Sequence, residues 1–256
     1  MGDCLIYESR GNIIRLTLNR PERRNALSRE MLSHLEEAIE KIRADRSARV
    51  VVIAANGPVF SSGHDLTELV GKPQEDYRTL FELCCRVMLG LRKLSVPVIA
   101  RVHGLATAAG CQLVAACDLA VAAKDVSFAT PGVNIGLFCA TPMIPLVRVM
   151  PPRAALEMLL TARPISAQRA LELGLVSRVV PADELDAEVQ SLADVILSLS
   201  GHVVGLGKRA FYELHELDEP MAYARATDVM LENLKLPDAY EGISSFLQKR
   251  TPRWTE

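Results

Sequence analysis

Two stretches rich in small residues carry the chemistry of this chain: FSSGHDLTEL at 60–69 and GLATAAGCQL at 104–113. Each follows an apolar β-branched run and leads toward a helical pattern, and each is poor in bulky side chains. Turns of this kind let a ligand approach the main chain, and a helix N-terminus adds unpaired N–H groups and partial positive charge. Two of them on neighbouring strands would aim two N–H groups at one oxygen, an oxyanion hole for an acyl carbonyl. Tight strand–helix packing explains either turn taken alone. The proton carrier is missing, because Gln112 in the second turn donates and accepts hydrogen bonds but exchanges no proton near neutral pH. SSGHD brings Ser62, His64 and Asp65 together in sequence, yet consecutive residues do not line up as nucleophile, base and orienting acid, so a serine hydrolase is a poor reading. GLATAAG lacks the spacing of a dinucleotide-binding turn. His103 reads as structural and His34 as solvated.

These turns need a scaffold. NIIRLTLNR reads as a strand with Ile14, Leu16 and Leu18 on one face. SREMLSHLEEAIEKIRAD reads as a helix capped by Ser28, with Met31, Leu32, Leu35, Ala38, Ile39 and Ile42 as its apolar stripe. ARVVVIAA, VPVIARV and CDLAVAA are continuous apolar runs, the pattern of strands covered on both faces. QEDYRTLFELCCRVMLGLRKL is a second amphipathic helix. Alternating buried strands and helices predict an α/β core with parallel pairing. After about Pro142 the patterns are helical except for LVSRVV, which Gly174 introduces as a helix C-cap. The expected organisation is a core over 1–195 and a helical region over 196–256.

Composition narrows the function classes. A chain of 256 residues with a formal net charge of −2 and 5% aromatics gives no ground for a nucleic-acid partner or for an anionic membrane surface. No run is long and apolar enough for a membrane span, and the first twenty residues lack both a signal-peptide core and an Arg-rich, acid-poor transit pattern. The six cysteines have no metal-ligand spacing and read as reduced core residues, so a cytoplasmic protein without metal is expected.

LNRPERRNALS, VFSSGHDLTEL, PVIARVHGLATAAGCQLVAACDLAVAAKDVSFATPGVNIGL, GLVSRVVP and EGISSFLQKRTPRW occur in this order. Together they resemble the enoyl-CoA hydratase/isomerase family, the crotonase superfamily, across almost the whole chain. The resemblance is nearest to the hydratase domain-containing members whose second turn reads GLATAAGCQLVA. It implies an α/β fold built as a spiral of ββα units, with a helical C-terminal region that makes trimers, often paired into hexamers. It implies an acyl-CoA thioester as partner, with no cofactor beyond that substrate's coenzyme A. The oxyanion amides would be those of His64 and Ala109, and Ala109 would be strained if its φ had to be positive. Hydratases of the family place glutamates where this chain has Gln112 and Gly132, so both acids are absent and hydration is expected to be weak. Restoring glutamate at both positions is expected to restore hydration where the pocket geometry survives. The resemblance also assigns substrate contacts to Arg23, Arg24, Ala26, Ser62, Gly63, Asp65 and Leu66. Further contacts would come from Thr130, Asn134, Cys139, Phe246 and Lys249, with Thr141 in the acyl-pocket loop and Arg250 beside Lys249. Asp65 has a structural role in the family, and Cys139 reads as a pocket thiol. A non-catalytic acyl-CoA-binding or regulatory protein on the same fold is the alternative.

Overall fold

A computed structural model describes residues 3–255. The strand β1 (Leu5–Arg10) turns back at Gly11 and pairs antiparallel with β2 (Ile13–Leu18). β1 was not anticipated, because LIYESR is too mixed in polarity to alternate cleanly, as suits a sheet edge. Helix α1 (Arg29–Ala44) follows, with Ser28 Oγ accepting from the Met31 amide at 3.3 Å and all six expected apolar residues buried. β3 (Val50–Ala55) is buried at every position. Then come α2 (Gln74–Lys93), β4 (Val98–Val102), β5 (Leu105–Thr107), α3 (Ala109–Ala116), β6 (Leu119–Ala123) and β7 (Ser127–Ala129). The chain continues through α4 (Ala140–Val149), α5 (Pro152–Thr161), β8 (Ile165–Ser166), α6 (Ala167–Glu172) and β9 (Arg178–Val180). It ends with α7 (Leu185–Leu197), α8 (Gly201–Leu214), α9 (Glu219–Leu234) and α10 (Pro237–Leu247).

The main sheet runs β1-β2-β3-β4-β6-β9 and is parallel from β2 onward. A second sheet, β5-β7-β8, has strands of two or three residues, too short to show any alternation. The two sheets reveal the repeat. β4 leads into β5 and then α3, and β6 leads into β7 and then α4. β3 leads into Ser61, which bridges Ala106 of β5, and then into α2. Each unit is a main-sheet strand, a short second-layer segment and a helix, which is the expected spiral of ββα units. Both small-residue turns lie in the second layer. They are therefore not simple strand-to-helix turns: β5 intervenes in one, and a single 3-10 turn over 66–69 follows the other.

Beyond the core, the expected division at 195–196 falls inside α7. α8 is tied to the core by Lys208, whose Nζ donates to the Leu91 and Val96 carbonyls at 2.9 Å and sits 2.7 Å from Asp118 Oδ2. Tyr212 donates to Asp118 Oδ1 at 2.8 Å. The six cysteines are all free, and Cys85 differs from the other five in being only partly buried. His34 is not simply solvated, because its Nδ1 lies 3.1 Å from Cys4 Sγ. No single helix among the described residues is long and apolar enough to cross a membrane.

Candidate active site

The first turn is pinned by the loop before α1. Asn25 is fully buried, and its Nδ2 donates to the Asn56 and Val59 carbonyls at 2.8 and 2.9 Å. Ser61 Oγ donates to the Asn25 carbonyl at 2.8 Å, Ser62 N to Arg24 O at 3.0 Å, and Leu27 N to Gly63 O at 2.7 Å. Arg24 and Asn25 both have positive φ, a conformation that asparagine tolerates better than most residues. Asn25 is thus a positioning residue that the sequence reading missed. Its one signal was an asparagine between a basic pair and an apolar run.

The second turn is laid against the first. Thr107 N donates to Ser61 O at 2.9 Å and Thr107 Oγ1 to Ser62 O at 3.1 Å, while Ala108 N donates to Ala129 O at 2.9 Å. Gly110 lies so close to Ser61 that a Cβ there would come within 2.4 Å of the Ser61 carbonyl oxygen. Gly63 has φ +90°, and a Cβ on it would sit 2.8 Å from Ala108 Cβ and 3.1 Å from the Ala109 nitrogen. The amide of Ala109 is therefore beside the residue preceding His64. Neither the His64 amide nor the Ala109 amide has an acceptor among the described residues. The anticipated strain is displaced by one position. Ala109 opens α3, and Ala108 adopts φ 50°, ψ −120°, a conformation costing about 1–3 kcal/mol in a non-glycine residue.

The side chains around this point hold few charges. His64 Nδ1 lies 3.3 Å from the Leu27 carbonyl, and its ring meets Phe81 edge-on with centroids 5.3 Å apart. Burial lowers its pKa, and Nε2 is enclosed without a partner among the described residues. Asp65 caps the 3-10 turn by accepting from Thr67 N and Oγ1 at 3.1 and 2.7 Å, and these bonds lower its pKa. Ala26 is buried beneath the turn, while Leu66 is exposed next to it.

Gln112 is buried one turn into α3, with Cys84 Sγ 4.0 Å from its Oε1. Gly132 is held in a 3-10 turn over 131–135, where a Cβ would meet the Leu137 carbonyl oxygen at 2.3 Å and Cys139 Sγ at 2.8 Å. Glutamate at 132 would have to displace the Leu137 backbone, so the pocket geometry on which restored hydration was made conditional does not accept it unchanged. Burial raises the Cys139 pKa, so it is not an activated thiol.

A cavity of about 140 Å³ opens beside Gln112, between α2, α3 and α4. Of the loop residues expected to line it, Thr141 does; Thr130 is fully buried with its Oγ1 lacking a partner among the described residues, and Asn134 is exposed. A larger groove of about 990 Å³ lies elsewhere, between the N-terminal ends of the main-sheet strands and α8, away from the two amides.

The cations divide into two groups. Arg23 and Arg24 are exposed on the loop that pins the first turn. Phe246 and Lys249 are not brought to the site within one protomer, because α10 packs on α8 and α9 instead. Phe246 is 82% exposed, and Arg250 is engaged by Glu241 at 2.6 and 2.8 Å.

The model of the enoyl-CoA hydratase/isomerase family matches residues 8–256. Rat enoyl-CoA hydratase domain-containing protein 3, mitochondrial, is 52% identical over 241 residues, covering 94% of this chain and 80% of that protein. The crystal structure of the human domain-containing protein 3 superposes with a TM-score of 0.95 at 50% identity, covering 98% of this chain and 100% of that one. An enoyl-CoA hydratase from Mycobacterium smegmatis gives a TM-score of 0.96 at 48% identity, with 98% of each chain covered. These likenesses establish the crotonase fold. The names of the mammalian relatives place those proteins in mitochondria, which overturns the cytoplasmic expectation drawn from the first twenty residues and the reduced cysteines. Fold, turns and whole-length similarity agree: this chain belongs to the enoyl-CoA hydratase/isomerase family.

Proposed function

We propose that the protein binds an acyl-CoA thioester with its carbonyl oxygen between the amides of His64 and Ala109. The observation that supports this reading is the pair of N–H groups without an acceptor among the described residues, on turns so close that a Cβ on Gly63 would fall 3.1 Å from the Ala109 nitrogen. Donors of this kind stabilise an enolate-like anion more than the neutral carbonyl. Arg23 and Arg24 supply charge for the coenzyme A phosphates.

Hydration itself is weak in this reading. Acid–base assistance is worth about 10²–10⁴-fold for each group, and Gln112 and Gly132 supply none. The enclosure of Gly132 by Leu137 and Cys139 favours the second reading, a protein that holds acyl-CoA without adding water. The oligomer in either reading is a homotrimer or a dimer of trimers, built on the exposed apolar faces of α9 and α10.

The deciding experiment replaces the Ala109 amide by an ester through the lactic acid analogue, deleting one N–H while keeping the methyl side chain. Calorimetric titration with butyryl-CoA is expected to show binding to the native chain and weakening of about 3- to 10-fold in the ester. Equal affinity of the two would remove the oxyanion role. Mass spectrometry of crotonyl-CoA incubations separates the two readings by product formation.

A further inference from the structure

We propose that Cys4, Glu30 and His34 form a binding site for one divalent transition-metal ion, zinc by its donor set. The ligand atoms of these side chains, a thiol sulfur, a carboxylate oxygen and a ring nitrogen, all lie within 4.8 Å of one another. Cys4 Sγ and His34 Nδ1 are 3.1 Å apart. Around a tetrahedral zinc ion, with bonds of about 2.3 Å to sulfur and about 2.0–2.2 Å to nitrogen and oxygen, ligand atoms stand roughly 3.4–3.6 Å apart. Side-chain adjustments of about an ångström bring the three groups to that spacing.

The fold gathers the trio from two elements. Glu30 and His34 are four residues apart on α1, so their side chains share one face of the helix. Cys4 immediately precedes β1. There the Asn19 amide donates to the Cys4 carbonyl at 2.7 Å, and Asn19 Nδ2 donates to the Asp3 carbonyl at 2.9 Å. The thiol is thereby held against α1 by main-chain contacts. Cys4 is buried, His34 is partly buried and Glu30 is exposed, so an ion enters from the Glu30 side. Spacing along the chain does not announce the site, because 30 residues separate Cys4 from His34.

The donors set the class of ion. Sulfur, nitrogen and oxygen together suit zinc, whereas calcium and magnesium take oxygen ligands. Asp3 and Glu30 add negative charge near the thiol, and Arg20 nearby is engaged with Ser28 Oγ at 2.7 Å. Coordination replaces the S–H bond of Cys4 by a metal–sulfur bond, and the proton passes to solvent. Three protein ligands leave a position for water. The bound ion ties the start of the edge strand β1 to α1.

The test uses the full chain, kept reduced with a phosphine and freed of metal by a chelator. Cobalt(II) is expected to bind at one equivalent with a thiolate-to-cobalt charge-transfer band, and zinc to displace it. Zinc should bind with a Kd of about 1 μM or tighter, release a proton seen as buffer-dependent heat, and raise the melting temperature. Cys4→Ser should abolish the band, while His34→Ala and Glu30→Gln should each weaken zinc binding at least about tenfold. Cys85→Ser, at the cysteine most open to solvent, should bind as the native chain does. Glu30 is exposed, so Glu30→Gln probes the site without disturbing the core. Absence of the band in the native chain, its loss in Cys85→Ser, or unchanged binding in a folded Cys4→Ser or Glu30→Gln variant overturns the inference. The contact of Cys4 with His34 would then be a hydrogen bond only.

Discussion

Gly63 and Ala109 meet across the two small-residue turns, with the space for a Gly63 Cβ ending 3.1 Å from the Ala109 nitrogen. Gly63→Ala adds that atom at φ +90°, against Ala108 Cβ at 2.8 Å. The expected result is a loss of about 1–3 kcal/mol in urea unfolding, together with at least tenfold weaker butyryl-CoA binding. Unchanged affinity would show that the two turns are not coupled through this contact.

Gly132 decides whether hydration can be restored. Gly132→Glu, alone or with Gln112→Glu, is expected to destabilise the 131–135 turn, because its Cβ has only 2.3 Å to the Leu137 carbonyl. Loss of enone absorbance from crotonyl-CoA should stay at the native rate or below it. A well-folded double variant with saturable hydration would refute this account.

The pair of Lys208 and Asp118 joins the helical region to the core with side chains that are 6% and 14% exposed. Removing one partner leaves the other charge enclosed, so Lys208→Met or Asp118→Asn is expected to cost about 3–5 kcal/mol. The double variant should cost less than the sum of the two. Urea unfolding of the four proteins measures the coupling.

His64 gives a pH signature. Its ring resists protonation in the fold, so its folded pKa lies below the ordinary 6.5. The unfolded chain takes up the proton first, and stability present above about pH 6.5 is lost as pH falls, at up to about 1.4 kcal/mol per unit. His64→Phe should flatten this part of the profile in denaturant midpoints between pH 7 and pH 5. An unchanged slope would place the titration on another group.

Phe246 tests the proposed trimer. It is the most exposed of the apolar residues on α10, where Tyr240, Ile243 and Leu247 are exposed as well. Phe246→Asp should shift the native trimer or hexamer toward monomer in sedimentation velocity. A native protein that sediments as a monomer at micromolar concentration would dismiss the assembly.

Much of the scaffold was legible along the chain because its signals are local. The α1 stripe from Met31 to Ile42, its Ser28 cap and the all-apolar β3 follow from helical and strand periodicity alone. The small residues of the two turns announced close approach to main chain, and the absence of glutamate at positions 112 and 132 is a plain fact of sequence. Tertiary structure decided what depends on contacts between distant segments. β5, β7 and β8 are too short for any pattern, and pairing alone makes them strands. Asn25 became a clamp because burial leaves its amide only the Asn56 and Val59 carbonyls to satisfy. The strain fell on Ala108 instead of Ala109, and the backbone at Leu137 closed the space beside Gly132. A side chain's type is written in sequence, whereas the vacancy or neighbour it meets is set by segments that the fold alone brings together.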